Sequence, residues 1–401
     1  MISVATLPDI DGITPTTQAT PATADELAKA VREADESGQA VAPVGGGTQL
    51  QLGMPPRRVD LALLTTGLNH IVEYEPADLT VTVEAGMRFA DLQAALGEHG
   101  QFLALDPAVD SNATIGGIIA TNASGPLRFS FGSARDLVIG TRVANPDGSL
   151  TRAGGRVVKN VAGYDLNKLH IGGLGTLGVI VELSFKLAPI PPALATVVGQ
   201  FSSLDGVGEA VGSVLHSSLS PLAIEVLGDD ATQLAFRVGG YEAAVERQVR
   251  DLRQLLVANG GVPQDASPTV WDEIAATRRE AMQRPVVVKA AAPIAQSVAL
   301  VRLLGEHLQA FAPVVWAHAG NGVAYATCDA PSDPSVLGGL REAVQKLGSN
   351  ASLVIVRCPT AWKSGLDVWG DPGTSVALMR AIKDKLDPRG TLNPGRYVGG
   401  I

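Results

Sequence analysis

Cysteine is the scarcest chemistry-bearing residue of this 401-residue chain: only Cys328 and Cys358 occur, thirty positions apart. Without a CxxC pair, the spacing argues against a disulfide framework, a zinc knuckle or an iron–sulfur site, and both thiols read as buried in a reducing compartment. Aromatic residues make up 4% and charged residues 18%, so the cores must be built mainly from Ala, Val, Leu and Ile. The 31 basic residues are outnumbered by 40 acidic ones, giving a net charge of −9. That balance speaks against a large nucleic-acid footprint, which needs a basic surface, while leaving room for a local basic patch. No apolar run reaches the roughly 18 residues needed to cross a bilayer. Met1 to Pro21 holds no Lys or Arg and no apolar stretch of the signal-peptide kind, so the chain is expected to be cytoplasmic. Motifs of several enzyme classes are missing too: no GxxxxGK[ST], no GxSxG, and no HxxxH or HExxH among the six histidines. No metal site is therefore expected.

Glycine and proline are what the chain has in moderate excess, 45 and 25 residues, against roughly 12% for the pair in average usage. Their placement follows the predicted elements. Thr23 and Glu26 form a capping box for a helix carrying Leu27, Val31 and Ala34. Short strands are expected over Val41–Val44, Ile71–Tyr74 and Leu79–Glu84, a helix over Phe89–Gly100, and a hairpin at Asp147-Gly148 between Leu137–Ala144 and Ser149–Arg152. At Pro189–Pro192 the glycine-rich texture ends, which marks a linker or domain crossing. Beyond it the order strand–helix–strand–strand–helix recurs, as in two βαββαβ units of a mixed α+β domain. A helix over Thr374–Leu386 and a turn-rich tail close the chain.

The string Gly173-Leu174-Gly175-Thr176-Leu177-Gly178 spells a dinucleotide fingerprint, but in the wrong context. A Rossmann loop follows a strand and opens a helix. Here a short helical stretch precedes it, and the alternating Val179 to Leu187 reads as a strand after it. Three other glycine-rich segments remain: Pro43 to Gln49, Asp106 to Gly125, and Lys159 to Leu166 leading into Gly173. Each admits two readings, tight turns and helix packing or bare backbone brought close to a ligand.

In combination these segments resemble the FAD-binding domain of the vanillyl-alcohol oxidase and p-cresol methylhydroxylase superfamily. The carriers are Pro43 to Thr48, Ala113-Thr114-Ile115-Gly116-Gly117 with Ala120 to Gly125, Gly132-x-x-Arg135-Asp136, Gly163 to Leu166, Gly175 to Ile180, and the closing Leu386 to Gly395. Within it, Val158 to Leu166 resembles the smaller FAD-binding subunits of bacterial glycolate oxidases. The resemblance implies an α+β fold: a PCMH-type FAD domain of two α+β subdomains over 1–189, a ferredoxin-like α+β cap over 190–365, and a segment 366–401 returning to the FAD domain. It implies that Val44, Gly45, Gly46, Gly47, Thr48 and Gln49 wrap the FAD pyrophosphate. Pro107, Asn112, Thr114, Gly116 and Gly117 would follow the ribityl chain and phosphates, and Thr121, Asn122, Ala123 and Gly125 would lie near the flavin ring. Leu174, Gly175, Gly178, Val179 and Ile180 would hold the adenosine end. Since Gly47-Thr48-Gln49 offers no histidine for a covalent link, FAD is expected to be non-covalent.

On the substrate side, Trp316 to Tyr325 resembles a decayed form of the His-x-Gly-Asp-Gly-Asn-x-His string of related 2-hydroxy-acid dehydrogenases. His318 remains while Asn321, Val323 and Tyr325 replace the other polar members, so the segment reads as strand–turn–strand with a structural histidine. Tyr164, Arg135 and His318 are the side chains expected nearest the ring. The implied activity is oxidation of a small 2-hydroxy acid such as glycolate. The implied partners are a second FAD-binding subunit and an iron–sulfur subunit, with peripheral membrane association through them. Alternatives are a non-catalytic FAD-containing companion, a stand-alone flavin oxidase or dehydrogenase, and a binding protein without flavin.

Overall fold

The computed structural model describes residues 7–156, 164–227, 232–267 and 269–401. Strand β1 (Thr17–Ala19) leads into α1 (Ala24–Glu36), where Thr23 accepts the Glu26 amide at 3.2 Å. Glu26 reaches back to the amide of Ala22, one residue before the position the capping box prescribes. The stripe Leu27, Ala28, Val31 and Ala34 is buried against a parallel sheet of β1, β2 (Val41–Val44) and β3 (Leu61–Leu64), ordered β1-β3-β2.

There follow β4 (Ile71–Glu75), β5 (Thr80–Glu84), α2 (Phe89–Gly97), β6 (Gln101–Phe102), α3 (Ile115–Thr121) and the single turns α4 (Arg128–Phe131) and α5 (Ala134–Leu137). Then come β7 (Val138–Ala144), β8 (Leu150–Gly154), α6 (Asn167–His170), β9 (Val179–Lys186) and β10 (Ala188–Pro189). An antiparallel sheet in the order β4-β5-β9-β7-β8 carries the second core, around Val83, Leu92, Ile119 and Phe185. Asp147-Gly148 closes the β7–β8 hairpin as expected, with Gly148 at φ +78°. The reversed fingerprint is also as expected, since α6 precedes Gly173–Gly178 and β9 follows.

The remaining chain builds one eight-stranded sheet from two units of equal order. The first is β11 (Ala193–Gln200), α7 (Leu204–Leu215), β12 (Ala223–Leu227), β13 (Gln233–Gly240), α8 (Glu242–Ala258) and β14 (Val262–Gln264). After α9 (Val270–Ala281) come β15 (Val286–Ala291), α10 (Ser297–Leu308), β16 (Val314–His318), β17 (Val323–Cys328), α11 (Ser335–Gln345) and β18 (Ser352–Arg357). The sheet order β14-β11-β13-β12-β16-β17-β15-β18 places the units as pseudo-symmetric halves meeting at β12 and β16. Period-two alternation sends Val197, Val226, Phe236, Val288, Ala317 and Ala326 to the face covered by α7, α8, α10 and α11. The opposite face is covered by α9 in the first half, where Trp271 and Ile274 lie on Val198, Ala223 and Ala235. In the second half that face forms the floor of a cavity.

After the fold turns back, α12 (Ser375–Leu386) and the tail rejoin the first sheet. Val41 donates to Thr391 O at 2.7 Å and Asn393 donates to Val41 O at 2.9 Å. The sequence reading has no element between Asn259 and Val286, and α9 fills that gap with Trp271, Ile274, Arg278 and Ala281 buried at helical spacing.

Candidate functional site

A trough runs between the first two sheets. Its narrow end, about 60 Å³, is lined by Val44, Gly45, Thr65, Ala85, Gly116, Gly175, Val179 and Ile180. It continues past Gly45 to Leu50, Thr114, Gly117, Thr121 and Arg396. Through Gln49, Thr121 and Leu174 it meets the cavity of about 470 Å³ beneath the eight-stranded sheet. The loop after β2 makes the trough chemically specific. Among the described residues, none of the five successive amides from Gly45 to Gln49 meets an acceptor in the chain. Partly exposed and free of acceptors in the chain, such a run can serve as a nest for phosphate oxygens. Gly47 needs its lack of a side chain for its own conformation, at φ +73°.

The other glycines of the loop serve packing as well as approach. A Cβ on Gly45 would collide with the Thr114 hydroxyl, and one on Gly46 with the Asn112 carbonyl. The loop is held from behind by Arg396, whose guanidinium is buried and donates to the carbonyls of Leu50 at 2.8 Å, Leu52 at 3.2 Å and Gln49 at 3.3 Å. Burial lowers the Arg396 pKa to about 10, which leaves it charged at neutral pH. Lys363 adds a second clamp, donating to Asp11 Oδ2 and the Gln51 carbonyl at 2.6 Å and to the Gly53 carbonyl at 2.9 Å.

The cavity floor follows from strand register. One row across the second half reads His318, Val323, Ala291, Ser352, and the next reads Trp316, Tyr325, Lys289, Val354. The first row continues across the midline, where β12 sets Glu225 opposite His318. His318 Nδ1 lies 2.7 Å from Glu225 Oε1, both groups buried. Arg278, at the end of α9, brings Nη1 within 3.3 Å of Glu225 Oε2, and its Nε and Nη2 are buried with no partner among the described residues. Asp106 reaches the same cluster from the first domain. Its carboxyl accepts the Leu127 amide at 3.1 Å, and burial is the main cause that raises its pKa to about 8, with the Glu225 charge adding and Leu127, Arg278 and Arg237 opposing.

Most of the expected cofactor residues line the trough or the cavity, Val44 to Gln49, Pro107, Thr114, Gly116, Gly117, Thr121 to Ala123, Leu174, Gly175, Val179 and Ile180 among them. Asn112, Gly125 and Gly178 line neither, Asn112 being exposed and the two glycines buried. Asn112 packs its carbonyl on Gly46, Gly125 is pressed on Asp106, and Gly178 on Val143. Of the three ring-side candidates, only His318 lines the cavity. Tyr164 is 92% exposed and Arg135 is exposed on α5; neither lines the trough or the cavity. The segment Val158 to Gly163 lies outside the described residues. Arg278, Glu225, Lys289, Asp106 and Arg396 went unread in the sequence, since each is placed by a contact distant in the chain. Arg396 directly follows the Asn393-Pro394-Gly395 turn, and Arg278 shares a helical stripe with Trp271; those were the available signals.

A trough of bare amides opening into a basic cavity under the eight-stranded sheet suits an elongated anionic cofactor, and the comparisons give the class, a flavin-dependent oxidoreductase. Over 94% of this chain and 88% of the other, the fold is similar to p-cresol methylhydroxylase with substrate bound, at a TM-score of 0.74 and 15% identity. Residues 15–154 match the FAD binding domain, and residues 190–360 and 371–397 match the C-terminal domain of FAD linked oxidases. The chain belongs to this FAD-linked oxidoreductase family, and FAD is its cofactor. It is 27% identical over 413 residues to glycolate oxidase subunit GlcD of Bacillus subtilis, covering 94% of this chain and 87% of that protein. It is 38% identical over 177 residues to glycolate oxidase subunit GlcE of Escherichia coli, covering 44% of this chain and 49% of that one.

Proposed function

We propose that this chain oxidises a 2-hydroxy acid to the 2-oxo acid, as the FAD-binding subunit of a glycolate-oxidase-type complex. The observation that carries the reading is the buried Arg278 guanidinium with two unpaired nitrogens, set beside an imidazole oriented by a carboxylate. Arg278 lines the cavity, so its guanidinium is the cation that a substrate carboxylate would meet there. With Nδ1 donated to Glu225, His318 presents Nε2 as the nitrogen that takes the hydroxyl proton, and the Glu225 charge stabilises the imidazolium so formed. Bound FAD supplies a two-electron acceptor for the hydride lost from the substrate α-carbon. The amides of Gly45 to Gln49 would hold its pyrophosphate, Val44, Thr65, Gly175, Val179 and Ile180 its adenosine end, and Pro107 and Thr121 to Ala123 its ring. The loop has neither His nor Cys, so the cofactor is held non-covalently. The division into 1–189, 190–365 and 366–401 belongs to the same reading.

Among the described residues no three His, Cys, Asp or Glu side chains gather to hold a metal. In the complex proposed, electrons would leave through a partner, of which an iron–sulfur subunit is the kind expected. The test is anaerobic addition of glycolate or lactate to the FAD-loaded chain. Bleaching of the flavin band that is lost in Arg278→Met supports the reading. Bleaching only after partner subunits are added supports the companion role, which the similarity to GlcE favours. A colourless protein that takes up no FAD overturns both.

A further inference from the structure

The cavity has a charge surplus that one substrate carboxylate does not use. In a chain of net charge −9, its lining includes Arg128, Arg278 and Lys289 and no Asp or Glu. Arg278 has the buried Glu225 behind it as counter-ion. Lys289 has no ion pair or hydrogen bond among the described residues, and its Nζ lies 5.9 Å from the centroid of the Tyr325 ring. An ammonium group lining a cavity with only a ring face for company is short of a negative partner.

Register sets its distance from the reacting end. Lys289 stands two strands from His318 and one cross-strand row away. With strands about 4.8 Å apart and rows about 6.7 Å apart, the two Cα atoms are about 12 Å from each other. The long lysine side chain shortens that gap to the reach of a molecule of a few carbons. Between them lies an apolar floor, with Trp316 and Tyr325 stacked at 5.3 Å. With Arg278 sharing Glu225 with His318 at one end and Lys289 at the other, the aromatic floor matches an anion with two charged ends and a methylene spacer.

Resting on the 2-hydroxy-acid reading of this cavity, we propose that Lys289 is a specificity-determining residue that receives a second carboxylate, so that the site prefers a 2-hydroxy diacid to a monoacid of equal length. The test uses glutarate and pentanoate, which share a chain length and, lacking the α-hydroxyl, bind without being oxidised. Each is titrated into the FAD-loaded chain and followed by the flavin difference spectrum. Wild type is expected to bind glutarate at least tenfold more tightly. Lys289→Met and Lys289→Gln should bring glutarate down to the pentanoate level, with pentanoate changed less than twofold and melting temperature unchanged. Equal binding of the two acids by wild type overturns the proposal. So does a variant that weakens both alike while shifting the flavin reduction potential, an outcome that sets Lys289 against the ring. If Arg278→Met abolishes binding of both acids while wild type shows no preference, only the diacid assignment fails. If wild type binds neither acid, the 2-hydroxy-acid reading fails with it.

Discussion

The two halves of the eight-stranded sheet share one topology and differ in what lies on their second face. After the first unit the chain lays α9 back across its own sheet, and Trp271 and Ile274 close the surface. After the second unit the chain leaves for the first domain through Thr360–Ser364, α12 and the tail. Its sheet face is touched only at one edge, where Ala281 and Met282 pack on Trp316, Val323 and Tyr325, and the rest becomes the cavity floor, with Trp369 and Tyr397 at the border. Equal architecture thus yields a packing surface on one side and a chemical surface on the other. Glu225 and His318 meet where the halves join, and Arg278 arrives there on the helix that lies along the first half and ends, at Ala281, on the second.

The comparison can be broken from either side. On the cavity half, His318→Gln should slow substrate-dependent flavin reduction by about 10²- to 10⁴-fold, as expected for loss of a general base. Anaerobic stopped-flow would show it, and an unchanged rate would reduce His318 to a structural residue. On the covered half, Ile274→Ala should cost about 2–4 kcal/mol in denaturant unfolding, from lost apolar burial and the cavity left behind. The FAD dissociation constant should stay where it was; a change there would mean the halves are not separable.

A smaller effect is expected at the loop clamp. Arg396→Gln should raise the FAD dissociation constant roughly tenfold, the value of a charge-assisted hydrogen bond, with Arg396→Lys recovering part of the affinity. A pH-dependent effect concerns Asp106 at the join. Its native pKa of about 8 lies above the ordinary 3.8, so the native state holds a proton that the unfolded chain releases. Stability from this group is full below about pH 4 and falls as pH rises toward 8. Asp106→Asn, which still accepts the Leu127 amide, should flatten that fall in a series of melting curves across this range.

How much was legible depended on chain separation. The helix stripe of α1, the Asp147-Gly148 hairpin and the reversed fingerprint at Gly173 are local patterns, and each is found where the sequence indicates. The repeat of strands and helices beyond Pro192 was also readable as order. Its joining into one sheet was not, because the pairing of β12 with β16 links residues about ninety positions apart. The same holds within the site. Gly45 to Gln49 could be read from residue types alone, whereas Arg278 and Lys289 look like ordinary surface cations until the sheet forms. Tyr164 shows the converse: a conspicuous aromatic beside a motif carries no information on which way it points, and here it is exposed.

The opening scarcity of cysteine takes its meaning from this structure, where Cys328 and Cys358 are free and buried and burial raises the Cys328 pKa to about 11. They are core residues, not chemistry. By itself the sequence determined the amide-rich trough, since a backbone without side chains is a local property of glycine and its neighbours. Only the tertiary structure decided the cavity, because the placement of unpaired charge depends on which strands lie side by side and which face a helix leaves uncovered.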